Sequence, residues 1–137
     1  MSLDLYNQSC KLSDQDAIDF TRKAILFDNC NVNKLIRHHC EKLNHFTAKA
    51  IMFYLLRDLN HDIVTEFEIV GVGKGDLLDL TTNTQYEFEG NYRKNFNTEI
   101  KAKYINSGIE LIIVNIDKLP RDINERYRAL QQYIIPD

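Results

Sequence analysis

Gly73-Lys74-Gly75-Asp76-Leu77-Leu78-Asp79-Leu80-Thr81-Thr82-Asn83-Thr84-Gln85-Tyr86-Glu87-Phe88-Glu89 is the stretch on which the fold turns. Leu77 to Leu80 is a short apolar-rich run, Thr81 to Thr84 supplies turn residues around Asn83, and Gln85 to Glu89 alternates polar with aromatic. This pattern predicts a β-hairpin. Side chains two apart on a strand share a face, so Glu87 and Glu89 point together, opposite to Tyr86 and Phe88. The start of the first strand lies beside the end of the second, which brings Asp76 to those two glutamates. Three crowded carboxylates repel one another unless a cation joins them, and hard oxygen ligands favour magnesium or manganese.

Working outward, a strong helix is expected from Asn44, a suitable cap, to about Leu59, with Phe46, Ala50, Phe53, Tyr54 and Leu55 on its apolar side. Asn60-His61 should end it. Ile63 to Val70 reads as a strand, stopped by the glycines between Gly71 and Gly75. A polar stretch follows the hairpin from Gly90 to Asn97. Thr98 then caps a helix carrying Ile100, Tyr104 and Ile105, which stops at Ser107-Gly108. Leu111-Ile112-Ile113-Val114 has the continuous apolar character of a strand covered on both faces. A final helix after Pro120-Arg121-Asp122 should turn Ile123, Tyr127, Leu130 and Ile134 inward. On the N-terminal side, Ser13 to Asp16 looks like a helix start. Helical spacing continues through Ala17, Phe20, Ala24 and Phe27, with Ile25 nearby, and a short helix through Leu35, Ile36 and Leu43 is expected next. The result is an α/β fold: a three-stranded antiparallel meander whose fourth strand returns through a helical crossover.

The bulk properties set limits. A chain of 137 residues fits one compact domain, here divided into a helical extension (residues 1–43) and a core (44–137). It is 44% apolar and 27% charged, an ordinary globular composition, and no run approaches a membrane span. Met-Ser-Leu-Asp-Leu-Tyr places no basic segment before an apolar one, so a cytoplasmic, intracellular protein is expected. Cys10, Cys30 and Cys40 lack paired spacing and read as free, partly buried thiols. A net charge of −3 argues mildly against nonspecific coating of nucleic acid, yet it permits a local acidic metal site flanked by basic groups.

The element order, with carboxylates at that place in it, resembles the PD-(D/E)XK nuclease superfamily, nearest to archaeal Holliday-junction resolvase-like and small archaeal or viral nuclease-like proteins. The resemblance covers Asn44 to the C-terminus. It implies a restriction-endonuclease-like αβββαβα core with a mixed sheet flanked by helices. It matches Asp76 to the family's aspartate and Glu87 to its glutamate. Gly75 stands where a proline is often found, and Glu89 stands where the family has lysine. A lysine migrated from a neighbouring element, Lys49, Lys94 or Lys101, would restore the missing charge. In another register Glu89 is the metal-binding glutamate and Asn91 takes the lysine's place.

The implied activity is Mg2+- or Mn2+-dependent hydrolysis of DNA phosphodiesters. Asp76, Glu87 and Glu89 would hold the metal, with Lys49 or Lys94 as catalytic cation. Branched, flapped or single-stranded DNA is the implied substrate, and a homodimer the implied assembly. Lys74, Arg93, Lys94, Lys101 and His45 are the candidate phosphate contacts. Glu41, His45 and Lys49, spaced by four, would form one stripe if the helix began early enough. One rival is a catalytically silent member of the same fold that binds nucleic acid or a protein. Another is a small interaction protein whose acids are merely surface. Asp79 is expected in the turn or on the opposite face, Glu66 and Glu68 on an exposed face, and His61 at the helix end. The spacing of His38-His39-Cys40 and His45 fits no standard zinc site.

Overall fold

The β-forming run after the first helix does not remain one strand. In the computed structural model, which describes residues 25–70, 73–90 and 108–134, it divides into β2 (Ile63–Val64) and β3 (Phe67–Ile69). The returning chain divides in the same way, into β4 (Gly73–Gly75) and β5 (Leu77–Asp79). β3 pairs with β4 in one sheet and β2 with β5 in another, so a single antiparallel hairpin is bent across two sheets, with Asp76 at the corner. Thr65 faces the break on the opposite limb. It is buried, and its hydroxyl donates to the Lys34 carbonyl at 2.8 Å and accepts from the Ile36 N–H at 3.0 Å. Side-chain hydrogen bonding of this kind takes the place of the interrupted ladder.

The larger sheet runs β2-β5-β6-β7, with β6 at Thr84–Glu89 and β7 at Glu110–Asn115. Its first pairs are antiparallel and β6 with β7 is parallel, so it is a mixed sheet. The expected β5–β6 hairpin forms, in register Leu77↔Tyr86 and Leu78↔Gln85. Asn83 takes a positive φ of 56° at its turn, and Asp79 Oδ1 accepts from the N–H groups of Thr81 and Thr82. The chain is thus of mixed α/β class with two sheets.

Two apolar clusters fill the faces. Helix α1 (Leu43–Asp58) and helix α2 (Ile123–Gln131) cover Ile63, Leu77, Tyr86, Phe88 and Val114. On the other side, Val64, Leu78 and Ile109 meet Ile25, Phe67 and Ile69 of the smaller sheet. Along β7, Ile112 packs towards the first cluster and Leu111 towards the second, so the apolar run serves both faces as expected. It is nevertheless an edge strand, and only Val114 within it is buried.

Several expectations need correction. Ile25–Leu26 is not helical; it forms β1 and pairs with β3. Residues 32–42 contain no α-helix either, and Asn29–Asn31 is a 3-10 turn capped by Asp28. This segment is pinned to the hairpin instead, because Asn33 accepts from the Ile63 N–H at 2.9 Å and donates its own N–H to the Ile63 carbonyl at 2.7 Å. Helix α1 buries Ala48, Lys49, Met52, Leu55 and Leu56, and leaves Tyr54 exposed. Its cap position is Lys42, whereas Asn44 gives its side-chain oxygen to Arg126. Helix α2 begins after Asp122 as expected, and Asp122 caps it; Leu130 is buried, Ile123 is exposed, and the hydrogen-bonded Arg126 takes the inward place. Cys30 and Cys40 are free and exposed rather than partly buried. Gly108 is left-handed, at φ 79°, as expected. The expected helices beginning near Ser13 and Thr98, and Cys10, lie outside the described residues.

Arg126 ties the first turns of the two helices together. Its guanidinium donates to the Pro120 carbonyl (2.8 Å), the Asn44 carbonyl (3.0 Å), the Thr47 hydroxyl (3.2 Å) and the Asn44 side chain. Arg126→Ala leaves those acceptors unmatched in a desolvated place and should cost about 3 kcal/mol. Arg126→Lys, lacking the planar fork, should recover only part. Urea denaturation of the two variants measures both effects.

Candidate metal centre

The corner in the bent hairpin builds the site. Asp76, between β4 and β5, stands next to the far end of β6, where Glu87 and Glu89 project from one face of the strand. One carboxylate oxygen from each of the three lies within 4.8 Å of the others, and the cluster could hold a metal ion. It is the single such group of acids, histidines or cysteines among the described residues. Asp76 is fixed in place because its Oδ2 accepts the Phe88 N–H at 2.8 Å. Gly75 precedes it for a steric reason: a Cβ there would fall 2.2 Å from the Phe67 ring and 2.7 Å from Gln85 Nε2. Any larger residue at this position, proline included, would displace those side chains.

Burial and charge divide the acids into distinct states. Desolvation pushes the Glu87 carboxyl well above the ordinary glutamate range, and the neighbouring Asp76 charge pushes it further. Glu89, half-buried, is raised by desolvation and then by Asp76. Asp76 goes the other way. Burial opposes its ionisation, but hydrogen bonds with His45 and Glu87 outweigh that penalty and hold it below the usual aspartate range. The pair thus joins an Asp76 that favours ionisation to a Glu87 that favours its proton. Gln85, on the same face and fully buried, donates Nε2 to Glu87 Oε1 at 2.5 Å, and its own Oε1 has no protein partner.

Behind the acids runs a chain of alternating charge. His45 Nε2 lies 3.2 Å from Asp76 Oδ2, and its Nδ1 bonds Glu41 Oε2. Glu41 Oε1 accepts from Lys49 Nζ at 2.8 Å and from the His38 N–H at 3.2 Å. Lys49, fully buried, also donates to the Ile36 carbonyl at 2.7 Å. The spacing of four thus brings Glu41, His45 and Lys49 together as expected, although Glu41 precedes the helix. An imidazole between two carboxylates can donate to both only when doubly protonated. Its affinity for the proton is raised by the Asp76 hydrogen bond against the opposing effect of burial, with Glu41 adding to it. Glu41 stays below the usual range because hydrogen bonds from Lys49 and His45 outweigh its desolvation.

The other candidates fall elsewhere. Lys74 is exposed on β4, paired with Glu68, in a groove with Leu26, Asp28 and Glu66. Glu68 is exposed as expected, and Glu66 lies 3.5 Å from His38 Nδ1. Arg93, Lys94, Lys101 and Asn91 lie outside the described residues. Asp79 is buried away from the three acids, with its Oδ2 2.7 Å from His61 Nδ1, so His61 does more than end the helix. Sequence reading missed Gln85. Its position two residues before Glu87 was the available signal, since residues two apart share a face.

The titrations set the pH dependence without added metal. A carboxyl raised on folding favours the folded state at low pH, and that advantage is lost as pH rises through its elevated folded value. Glu87 and Glu89 both act in this sense. So does His45, raised above 6.5, whose contribution is complete below that value and lost above it. Asp76 opposes them only in acid, where stability falls as pH drops below 3.8 through its lowered value. Unfolding free energy should therefore decline as pH rises above 4.5, and further above 6.5, and Glu87→Gln should flatten that decline and be more stable than the parent at the upper end. Urea midpoints across the range test this, and parallel profiles for the two proteins would refute it.

The chain matches no protein-family model, and neither a curated protein nor a solved structure shows significant similarity to it.

Proposed function

We propose that this chain is a metal-dependent endonuclease-like enzyme that hydrolyses DNA phosphodiester bonds, with Mg2+ or Mn2+ at Asp76, Glu87 and Glu89. The observation that carries the reading is the meeting of three hard-oxygen donors within 4.8 Å, one of them Glu87, whose ionised form is disfavoured by burial and by repulsion from Asp76. A divalent ion relieves that repulsion, and Gln85 Oε1, buried and unmatched, is a further oxygen in the same wall. The order of helix, bent hairpin, β6, crossover, parallel β7 and helix is compatible with the restriction-endonuclease-like αβββαβα core.

When bound, the metal supplies acidification of water and charge neutralisation at the phosphoryl oxygens. The protein's own groups do the rest. Glu89, raised and half-buried, is suited to take a proton from water. His45 fills the role left by the glutamate at the lysine's place, since it puts positive charge 3.2 Å from Asp76. Lys49 does so indirectly, orienting His45 through Glu41. DNA as substrate, the homodimer and an intracellular location belong to this same reading. No described helix is long and apolar enough to cross a membrane.

One observation favours a second reading, a silent nuclease fold that binds nucleic acid without cutting it. The Lys49 ammonium is engaged by Glu41 and the Ile36 carbonyl rather than by the three acids. With Mg2+ or Mn2+ at a hundred times its dissociation constant, the enzyme should gain about 2.7 kcal/mol of stability. It should cut flapped, branched or single-stranded DNA, and Asp76→Ala should unfold cooperatively, lose the metal-induced stabilisation and cleave slower by on the order of 10³-fold or more. Metal-independent melting with DNA binding but no cleavage selects the silent fold.

A further inference from the structure

Next to the acid cluster lies a second hollow, of about 450 Å³, lined by Leu43, Asn44, Thr47, Leu119, Arg121 and Ile123 among others. It adjoins the cleft lined by His45 and Asp76, and Asn44, Ile116 and Asp117 line both. Its lining is unusual in two ways. Leu43 and Ile123, the first residues of α1 and α2, are 77% and 55% exposed, so two large aliphatic side chains border one hollow without covering each other. Isolated exposed leucines are commonplace, but two on the rim of one cavity form an apolar seat. Arg121 is exposed and has no hydrogen bond or ion pair among the described residues. Its basic neighbour in the lining, Arg126, carries the same sign, is itself disfavoured first by burial and then by Arg121, and has its donors committed to Asn44, Thr47 and Pro120. Asp117 is the one carboxylate in this lining, so the two guanidiniums leave the hollow net positive, and Arg121, uncommitted among the described residues, is the one placed to take an anion.

We propose that this hollow seats one unpaired nucleotide of the substrate strand beside the phosphate to be cut, its base against Leu43 and Ile123 and its phosphate on Arg121. The proposal rests on the nuclease reading and narrows it to DNA with unstacked nucleotides at the site of cleavage. The volume is within the range of pockets that enclose a single small ligand. A paired base would have to leave its stack to enter, at a cost of a few kcal/mol, whereas a single strand or flap presents its bases already splayed. Asn44 and Thr47 expose polar groups at the same wall, so the seat is apolar at its rim and polar towards the protein.

The test uses the full chain, with Ca2+ as a divalent ion that supports binding without turnover, and reads fluorescence anisotropy of a labelled single-stranded hexanucleotide and a labelled blunt duplex. The parent protein should bind the single strand at least about ten-fold tighter than the duplex, and Arg121→Ala or the pair Leu43→Ser and Ile123→Ser should each weaken single-strand binding by about ten-fold. Arg121→Ala should also reduce the salt slope by about one, and the aliphatic pair should leave that slope alone. These residues are exposed, so cooperative melting verifies that the variants fold. Equal affinity for strand and duplex, absence of binding, or variants indistinguishable from the parent would overturn the proposal. Strand binding through these residues without cleavage in Mg2+ or Mn2+ retires the hydrolytic reading and keeps the seat. Cleavage with unchanged binding in the variants retires the seat alone.

Discussion

A lysine with no access to water governs this molecule. Lys49 sits in the middle of the buried stripe of α1, among Ala48, Met52, Leu55 and Leu56. An ammonium group in such a place costs several kcal/mol unless it is paired and fully hydrogen-bonded. The partners, Glu41 and the Ile36 carbonyl, come from the segment ahead of the helix. That segment must therefore lie across the hairpin, where Asn33 and Thr65 fasten it. Once Glu41 is in place, its second oxygen holds His45, and His45 reaches Asp76. The position of the acid cluster relative to the helix is thus set by the needs of one buried cation.

The same chain explains how three acids coexist. Charge alternates from lysine to glutamate to histidine to aspartate, so each member lies next to its opposite. The alternation ends at Asp76. Glu87 beyond it meets Asp76 and an amide from Gln85 rather than a cation, and its carboxyl is pushed well above the ordinary range. A group of acids arranged in this way could hold a metal ion.

Much of this could be read from residue order, and the exceptions have physical causes. The β5–β6 hairpin was legible because Asn83 marks its turn and Tyr86 and Phe88 alternate with the acids on β6. That brought Asp76, Glu87 and Glu89 together correctly. The break at Thr65 was not legible, because a β-branched threonine is at home in a continuous strand and only a tertiary partner at Lys34 and Ile36 reveals it. The buried face of α1 was misjudged because apolar residues occur all round that helix, and the inward stripe contains the one residue type that sequence reading sends to solvent. Arg126 was missed for the same reason. The i, i+4 spacing of Glu41, His45 and Lys49 was visible. Its meaning was not, because Glu41 acts from outside the helix.

The bent hairpin has a mechanical side. Asp76 is the joint between a strand of the smaller sheet and a strand of the larger one, while Glu87 and Glu89 belong wholly to the larger. Any shear of one sheet over the other alters the gap between Asp76 and its neighbours. The packing of Phe67, Ile69 and Ile25 behind Val64 and Leu78 resists that slip. The spacing of the three acids is therefore calibrated from a distance, by aliphatic and aromatic side chains outside the cluster, and the corner is only as stiff as the layer beneath it.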